Sequence, residues 1–372
     1  MNHTPPDRNP DAQPTDLAAV RDEIDRIDVE IHELLNRRAR AALKVAEIKK
    51  AAAGEQTINF YRPEREAQIL REVARRNDGP LDDASVQRIF REIISVSLAL
   101  EQPMVIAYLG PEGTYSQTAV DRHFGHAVVP QPEATIPDIF AAVESGRARF
   151  GVVPIENSTE GAINQTLDLL TETLLKVCGE IDLRIQHCIL SRAASLDDIR
   201  AVHAHPQALA QCRRWLDTHM PKVERVAESS NAVAAQIAAE NPAVAAIAGE
   251  SAAERYGLNV LQPGIQDEKN NTTRFIVIGN QEVPPSGDDC SMLLIGAPHK
   301  PGGLRRLLEP MESEGVNLTR IESRPFRTAL WEYVFFIDVT GHKDDDRLGP
   351  VLEKLADVAP MVRVLGSFPR AL

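Results

Sequence analysis

The apolar positions of this chain change period twice. From Asp16 to about Ala53, Leu17, Val20, Ile24, Ile27, Ile31, Leu34, Leu35, Val45 and Ile48 recur at intervals of three and four, with no proline or glycine before Gly54. That spacing predicts a single α-helix, roughly 55 Å long at 1.5 Å per residue. Two shorter helices follow at 63–77, with a proline in its first turn, and at 83–102. They are too short to cover the apolar stripe of the first helix, which points to a homodimer formed through it. After Gln102-Pro103 the period shifts to short β-rich runs, "MVIAYLG", "FGVVPIEN" and "AAIAG", separated by helical stretches including 137–145, 206–219 and 229–240. This alternation predicts an α/β segment with mainly parallel strands. "NQEVPPSGDD" has the composition of a linker. The remainder reads strand, helix, strand, strand, helix, strand, a small ferredoxin-like α+β unit.

At 372 residues and 43% hydrophobic content the chain is large enough for two or three packed cores. Its net charge of -13 argues against nucleic acid as a general partner, because neutralising phosphates needs a cationic surface. The N-terminal "MNHTPPDRNPDAQPT" is polar and proline-rich, unlike a signal peptide, and predicts a disordered tail. No apolar run approaches the ~18 residues of a membrane span. Cys178, Cys188, Cys212 and Cys290 lack CxxC or zinc-site spacing, as expected of reduced thiols in a cytoplasmic protein.

The helical segment carries cations where its stripe should be apolar. Arg38 lies seven residues from both Ile31 and Val45, and Arg21 and Lys49 follow Leu17 and Val45 by four. Half-buried charges of one sign are costly unless an anion meets them. One reading pairs Arg38 with Glu30 or Glu66 and gives it only the register of the dimer; the other gives the set an anionic ligand. Ser97 and Glu101 are matching polar interruptions on the third helix, and Arg65-Glu66 opens the second. Arg21, Arg38, Lys49, Arg65, Glu66, Ser97 and Glu101 at these spacings resemble the all-helical class of chorismate mutase. The resemblance implies a site between the helices of an intertwined dimer, with Arg21 donated across the interface, Arg38 and Arg65 holding the carboxylates of chorismate, and Lys49 donating to its ether oxygen. Many members have glutamine where this chain has Glu101, and a glutamate can donate there only when protonated.

The α/β segment contains "GPEGTYS" (110–116), "PIENSTEG" (154–161), "HPQALAQC" (205–212), "ESSNA" (228–232) and "NNTTRF" (270–275), the last running into the apolar "IVI" of a strand. In this order the five motifs resemble prephenate dehydratase. The resemblance implies two α/β lobes of periplasmic-binding type around a cleft. It also implies that Thr273 assists the leaving hydroxyl, with Asn157, Gln211, Glu228 and Ser229 lining the pocket. Loss of water and carbon dioxide from prephenate asks for hydrogen-bond donors and carboxylate-binding groups rather than a metal. Strand alternation sets Thr273 and Phe275 on one face and Arg274 on the other. Ala204 replaces a serine common before "HPQ", which removes one hydroxyl from that loop.

"GGLRRLL" (302–308) and "NLTRIESRPFR" (317–327) resemble the ACT domain attached to prephenate dehydratases. Its members bind L-phenylalanine between paired domains, which implies an effector site at Gly302, Gly303, Leu304, Glu322, Ser323, Arg324 and Pro325. The expected organisation is a tail at 1–14, a mutase domain at 15–102, a dehydratase domain at 104–280, a linker at 281–290 and an ACT domain at 291–367. Together these imply a bifunctional enzyme that turns chorismate through prephenate into phenylpyruvate under inhibition by phenylalanine, with no metal or cofactor. Two alternatives stay open: a dehydratase with a vestigial mutase domain, and a non-enzymatic amino-acid sensor.

Overall fold

A computed structural model describes residues 16–53, 59–297, 300–325 and 333–371. The expected tail at 1–14 and the end of the 317–327 motif lie outside them. The chain forms two units that divide between Phe60 and Tyr61. In the first, helix α1 (Leu17–Ala53) runs unbroken for 37 residues, as the apolar period predicts. Its stripe is open: Ile24, Ile27, Ile31, Leu34, Leu35, Val45 and Ile48 are all exposed.

The second unit begins with α2 (Pro63–Arg76) and α3 (Asp83–Glu101), which pack on each other. Asp82 caps α3 by accepting the Ser85 N–H at 2.8 Å. A first mixed sheet contains β1 (Val105–Leu109), β2 (Val129–Glu133), β3 (Phe150–Asn157), the two-residue β4 (Gly161–Ala162) and β5 (Lys176–Arg184). Helices α4 (Tyr115–Phe124), α5 (Ile136–Glu144) and α6 (Asn164–Glu172) connect them. The chain then builds a second lobe. Its strands are β6 (Cys188–Ser191), β7 (Ala201–Ala204), β8 (Glu224–Ala227), β9 (Val244–Ala248) and β10 (Asn259–Gln262). Its helices are α7 (Pro206–Gln211), α8 (Arg213–His219), α9 (Asn231–Glu240) and α10 (Glu250–Tyr256). Finally β11 (Thr272–Gly279) re-enters the first sheet between β3 and β5, giving the order β2-β1-β3-β11-β5.

Two expectations change here. The sheets are mixed rather than mainly parallel: β11 runs antiparallel to both neighbours, because a chain that leaves one lobe for the other returns in the opposite direction. The helical stretch 206–219 breaks at Cys212, and the Asp267 carboxylate accepts the N–H groups of Arg214 and Trp215 at 3.0 and 3.3 Å, starting α8 afresh.

The linker at 281–290 is a packed strap. Asp289 and Cys290 already belong to β12 (Asp289–Gly296), and the Asp289 carboxylate accepts the Ser286 N–H at 2.8 Å. Arg71 of α2 donates to the Asp288 carbonyl at 2.8 Å. With α11 (Gly303–Ser313), β13 (Leu318–Pro325), β14 (Tyr333–Thr340), α12 (Leu348–Val358) and β15 (Met361–Pro369), β12 completes an antiparallel sheet ordered β13-β14-β12-β15. One face of that sheet packs Leu293, Ile295, Ile337 and Val339 under α11 and α12. The other packs Met292, Leu294, Val334, Phe336, Leu365 and Phe368 into the same core as Ile155, Leu170, Val177 and Ile276 of the first lobe. At Gly366 the two sheets approach so closely that a methyl group would collide with the Val177 carbonyl.

Because Phe336 belongs to a core shared by lobe and C-terminal domain, Phe336→Ala is expected to cost about 3–5 kcal/mol. Calorimetric melting should show both regions unfolding together at lower temperature; a single shifted transition for the C-terminal domain alone would contradict the shared core.

Candidate active site

Between the two lobes lies a cavity of about 550 Å³. Thr273 and Phe275 line it while Arg274 points to the opposite face of the sheet, as strand alternation predicts. Thr273 sits in register with Asn157 at the end of β3. The Asn157 amide N–H₂ donates to Thr273 Oγ1 and to Asn271 Oδ1, both at 2.9 Å, and its carbonyl oxygen accepts the Thr159 N–H at 3.0 Å. Asn271 Nδ2 donates to Gln211 Oε1 at 3.1 Å, and the same oxygen lies 3.0 Å from His187 Nε2. The other nitrogen of His187 lies 2.9 Å from the Tyr115 hydroxyl.

The Asn157 contact makes the Thr273 oxygen an acceptor, so the hydroxyl's own proton is available to the cavity as a hydrogen-bond donor. Gln211 Oε1 accepts from Asn271 and faces His187 Nε2, while the Tyr115 hydroxyl facing Nδ1 donates to the Gln186 carbonyl at 2.7 Å. Burial lowers the pKa of His187, against the opposing hydrogen bond to Gln211, and so favours the neutral ring.

Among the described lining residues there is no arginine or lysine. Instead three helices of nine or ten residues start on the cavity: α4, α6 and α9, whose N-cap residues Thr114, Ile163 and Ser230 all line it. Helix N-termini carry partial positive charge and unsatisfied N–H groups, which suits carboxylates in a cleft whose one acidic lining residue is Glu160.

Asn157, Gln211 and Ser229 line the cavity, as expected. Glu228 does not: it turns away to pair with His203 Nδ1 at 2.8 Å. Ala204 is fully buried in the core of the second lobe, so a serine hydroxyl at that position would lie outside the cleft lining. His187 and His205 also line the cavity: His205 opens the "HPQALAQC" motif but was given no role from sequence, whereas His187 stands in no spacing that signals chemistry and takes its place only through the meeting of the two lobes. The four cysteines are free and buried, and burial pushes the Cys178 thiol up to about 12.

Of the residues matched to the helical site, Arg21, Arg38 and Lys49 belong to the first unit. Arg21 is exposed, Arg38 is half-buried, and Lys49 Nζ stands 5.6 Å from the centre of the Phe60 ring. In the second unit Arg65 is exposed, Ser97 is buried and donates to the Ile93 carbonyl at 2.7 Å, and Glu101 is half-buried. Glu66, about 100° round α2 from Arg65, is buried 3.6 Å from Arg91. It shares a cavity of about 40 Å³ with Tyr61, His123, Cys178 and the C-terminal residues 369–371. Burial pushes its carboxyl up to about 7, against the pull of Arg91.

On the C-terminal domain a cavity of about 330 Å³ is lined by Lys300, Pro301, Gly303, Leu304, Tyr333 and Phe335, with Ala297 beside them. Gly302 starts α11 with φ +77°, a left-handed conformation that glycine adopts without strain. Ser323 pairs with Phe335 and so shares the face of this cavity. Glu322 pairs with Phe336 and faces the first lobe. Arg324 is committed to the lobe, donating to Asn164 Oδ1 and Asp168 Oδ1, both at 2.6 Å. Glu322 and Arg324 therefore lie across the sheet from the glycine loop, a division that strand alternation imposes on the "ESRP" motif.

A two-lobe cleft built of amides and hydroxyls, fused to a small β-sheet domain, defines a multidomain α/β enzyme. Family comparison gives the particular class. The chain matches chorismate mutase type II over residues 20–102, prephenate dehydratase over 106–283 and the ACT domain over 291–357. It is 50% identical over 359 residues to a bifunctional chorismate mutase/prephenate dehydratase of Stutzerimonas stutzeri, covering 96% of this chain and 98% of that one. Among solved structures it is similar to a prephenate dehydratase from Arthrobacter aurescens in complex with L-Phe, at 36% identity and TM-score 0.66, covering 72% of this chain and 90% of that chain. It is also similar to GqqA, described as a novel type of quorum quenching acylase, at 32% identity and TM-score 0.66, covering 72% and 98%. The chain belongs to the bifunctional chorismate mutase/prephenate dehydratase family.

Two tests follow from this geometry. Thr273→Val keeps the shape of the side chain and removes its donor, and is expected to lower dehydratase kcat about 10²–10³-fold; Thr273→Ser should stay within about tenfold of wild type, and equal loss in both would remove the hydroxyl from the chemistry. Glu66 has a folded-state pKa above its unfolded value, so the folded protein binds the extra proton between about pH 4.5 and 7. The stabilisation by that proton is lost as pH rises through this window. Glu66→Gln should accordingly raise Tm at pH 8 by at least about 2–4 °C and have little effect at pH 4.5, as thermal melts at the two pH values would read.

Proposed function

We propose that chorismate is rearranged to prephenate in the helical region and that prephenate loses water and carbon dioxide in the two-lobed cleft, with the Thr273 hydroxyl as donor to the departing hydroxide. The observation that carries this reading is the Thr273–Asn157 pair on the cavity wall, in which Thr273 Oγ1 accepts from Asn157 and keeps its own proton to donate. Carboxylates of prephenate would lie against the N-termini of α4, α6 and α9.

For the helical site the proposed roles are Arg38 and Arg65 on carboxylates, Lys49 on the ether oxygen, Ser97 and Glu101 as polar walls, and Arg21 from a partner copy. A pericyclic rearrangement needs no nucleophile, only a shaped pocket with cations where charge develops. The open apolar stripe of α1 supports a homodimer, and L-phenylalanine would occupy the cavity at Lys300–Leu304 as inhibitor. Four free, buried cysteines suit a reducing compartment, and we place the enzyme in the cytoplasm. Among the described residues no helix is long and apolar enough to cross a membrane.

Incubating purified protein with chorismate should yield prephenate and then phenylpyruvate. Arg38→Ala is expected to abolish the first step while leaving turnover of supplied prephenate within about twofold, read by separate assays of the two reactions. A folded Arg38→Ala protein that lost both activities equally would refute the separation of sites.

A further inference from the structure

The residues that alternate with the cleft residues along β3 and β11 are charged, and the C-terminal domain grips them. On β11, Thr273 faces the cavity and Arg274 faces the opposite side, where Nε and Nη2 reach Glu180 Oε2 at 3.0 and 2.7 Å and Nη1 pairs with Asp338 of β14. On β3, Asn157 faces the cavity and Glu156 the opposite side, where Arg320 of β13 pairs with it at 2.9 Å. Glu156 and Arg274 are themselves partners in register across β3 and β11. The register slips between Arg274 and Phe275, so the ladder is locally bulged beside the catalytic pair.

The cluster is buried: Asp338 is 2% exposed on its side chain, Glu180 11%, Arg320 12% and Arg274 15%. Burial works against the Arg274 guanidinium, but the carboxylates of Asp338 and Glu180 more than offset it and raise its pKa. A buried charge cannot leave its partners without a large desolvation penalty, so displacement of β14 is resisted at Arg274; at the Arg320–Glu156 pair, where Glu156 is 37% exposed, it is the buried Arg320 that resists displacement of β13. These same strands end at the effector cavity, since Tyr333 and Phe335 of β14 line it.

We propose that Arg320 and Asp338, through Glu156 and Arg274, form the link by which an amino acid bound at the Lys300–Leu304 cavity repositions Asn157 and Thr273. Arg274 is in this account a positioning residue, one residue removed from the chemistry and on the wrong face to touch prephenate. The inference rests on the regulatory reading given above, and adds the route. Arg363 offers a control, because it docks the same domain on the same lobe by donating to the carbonyls of Leu170 and Thr171 at the end of α6, away from β3 and β11.

The test uses the full chain, prephenate as substrate and L-phenylalanine as effector, with initial rates and calorimetric binding measured on each variant. Arg320→Gln should leave uninhibited kcat within about twofold and still bind phenylalanine, while the maximal inhibition falls at least about fivefold. Arg363→Gln should remain inhibited like wild type. Should Arg320→Gln fail to fold, Glu156→Gln removes the same pair from its more exposed partner and carries the same expectation. An Arg320→Gln protein inhibited as strongly as wild type overturns the link alone, as does equal loss of inhibition in Arg363→Gln, which would indicate general loosening of the interface. A wild type that is inactive or does not bind phenylalanine overturns the activity or regulatory reading and the link with it.

Discussion

Strand β11 reaches the first sheet only after the chain has built the whole second lobe, and it must then fit between β3 and β5 by hydrogen bonding on both sides. That closure fixes the cleft. It sets Thr273 opposite Asn157 at the point where the lobes join, and it presents a hydroxyl and an amide to a cavity whose other walls come from segments far away in sequence. The apolar tail of the strand, Phe275 to Ile278, is fully enclosed, so a register slip would bury Arg274 toward the cleft and expose the core face.

The cleft is an electrostatic compromise. The cleft has no arginine or lysine among its described lining residues, and the positive ends of dipoles at three helix starts and in the amides of Asn157, Asn271 and Gln211 are what it offers an anion beside the Glu160 carboxylate. Dipoles favour an anion without pairing it with a fixed counter-charge. The connected hydrogen bonds from Tyr115 to Thr273 keep each buried polar group paired, and a partly satisfied network of this kind would cost more than an apolar wall.

The C-terminal domain joins the lobe in two chemically different ways. Apolar side chains such as Phe336 and Met292 give a core that is continuous across the boundary, each worth about 1.5–3 kcal/mol when fully buried. The charged cluster at Arg274 is a poor source of stability by comparison, because desolvation consumes most of its Coulombic gain. Its value lies in geometry: apolar contacts tolerate sliding, whereas a buried guanidinium held by two carboxylates defines one arrangement.

Periodicity and residue type determined much of this protein. The three-and-four spacing from Leu17 to Ile48 is enough for a long helix because nothing in it breaks a helix, and Pro63 and Asp82 mark the starts of the next two through local backbone chemistry. Alternation alone separated Thr273 from Arg274, since successive side chains on any strand point to opposite faces. Ordered motifs were enough to place Thr273, Asn157 and Gln211 at one cleft. The tertiary structure decided what local chemistry cannot reach. Glu228 reads like its neighbour Ser229 but is drawn off by His203, a residue on an adjacent strand. His187 enters the cleft only because the second lobe brings it beside Gln211. The linker composition of 281–290 hides a packed strap whose partners, Arg71 among them, lie some two hundred residues earlier. Glu322 and Ser323 are adjacent in sequence, yet β14 and the lobe behind it send one toward the shared interface and leave the other on the face of the Lys300–Leu304 cavity.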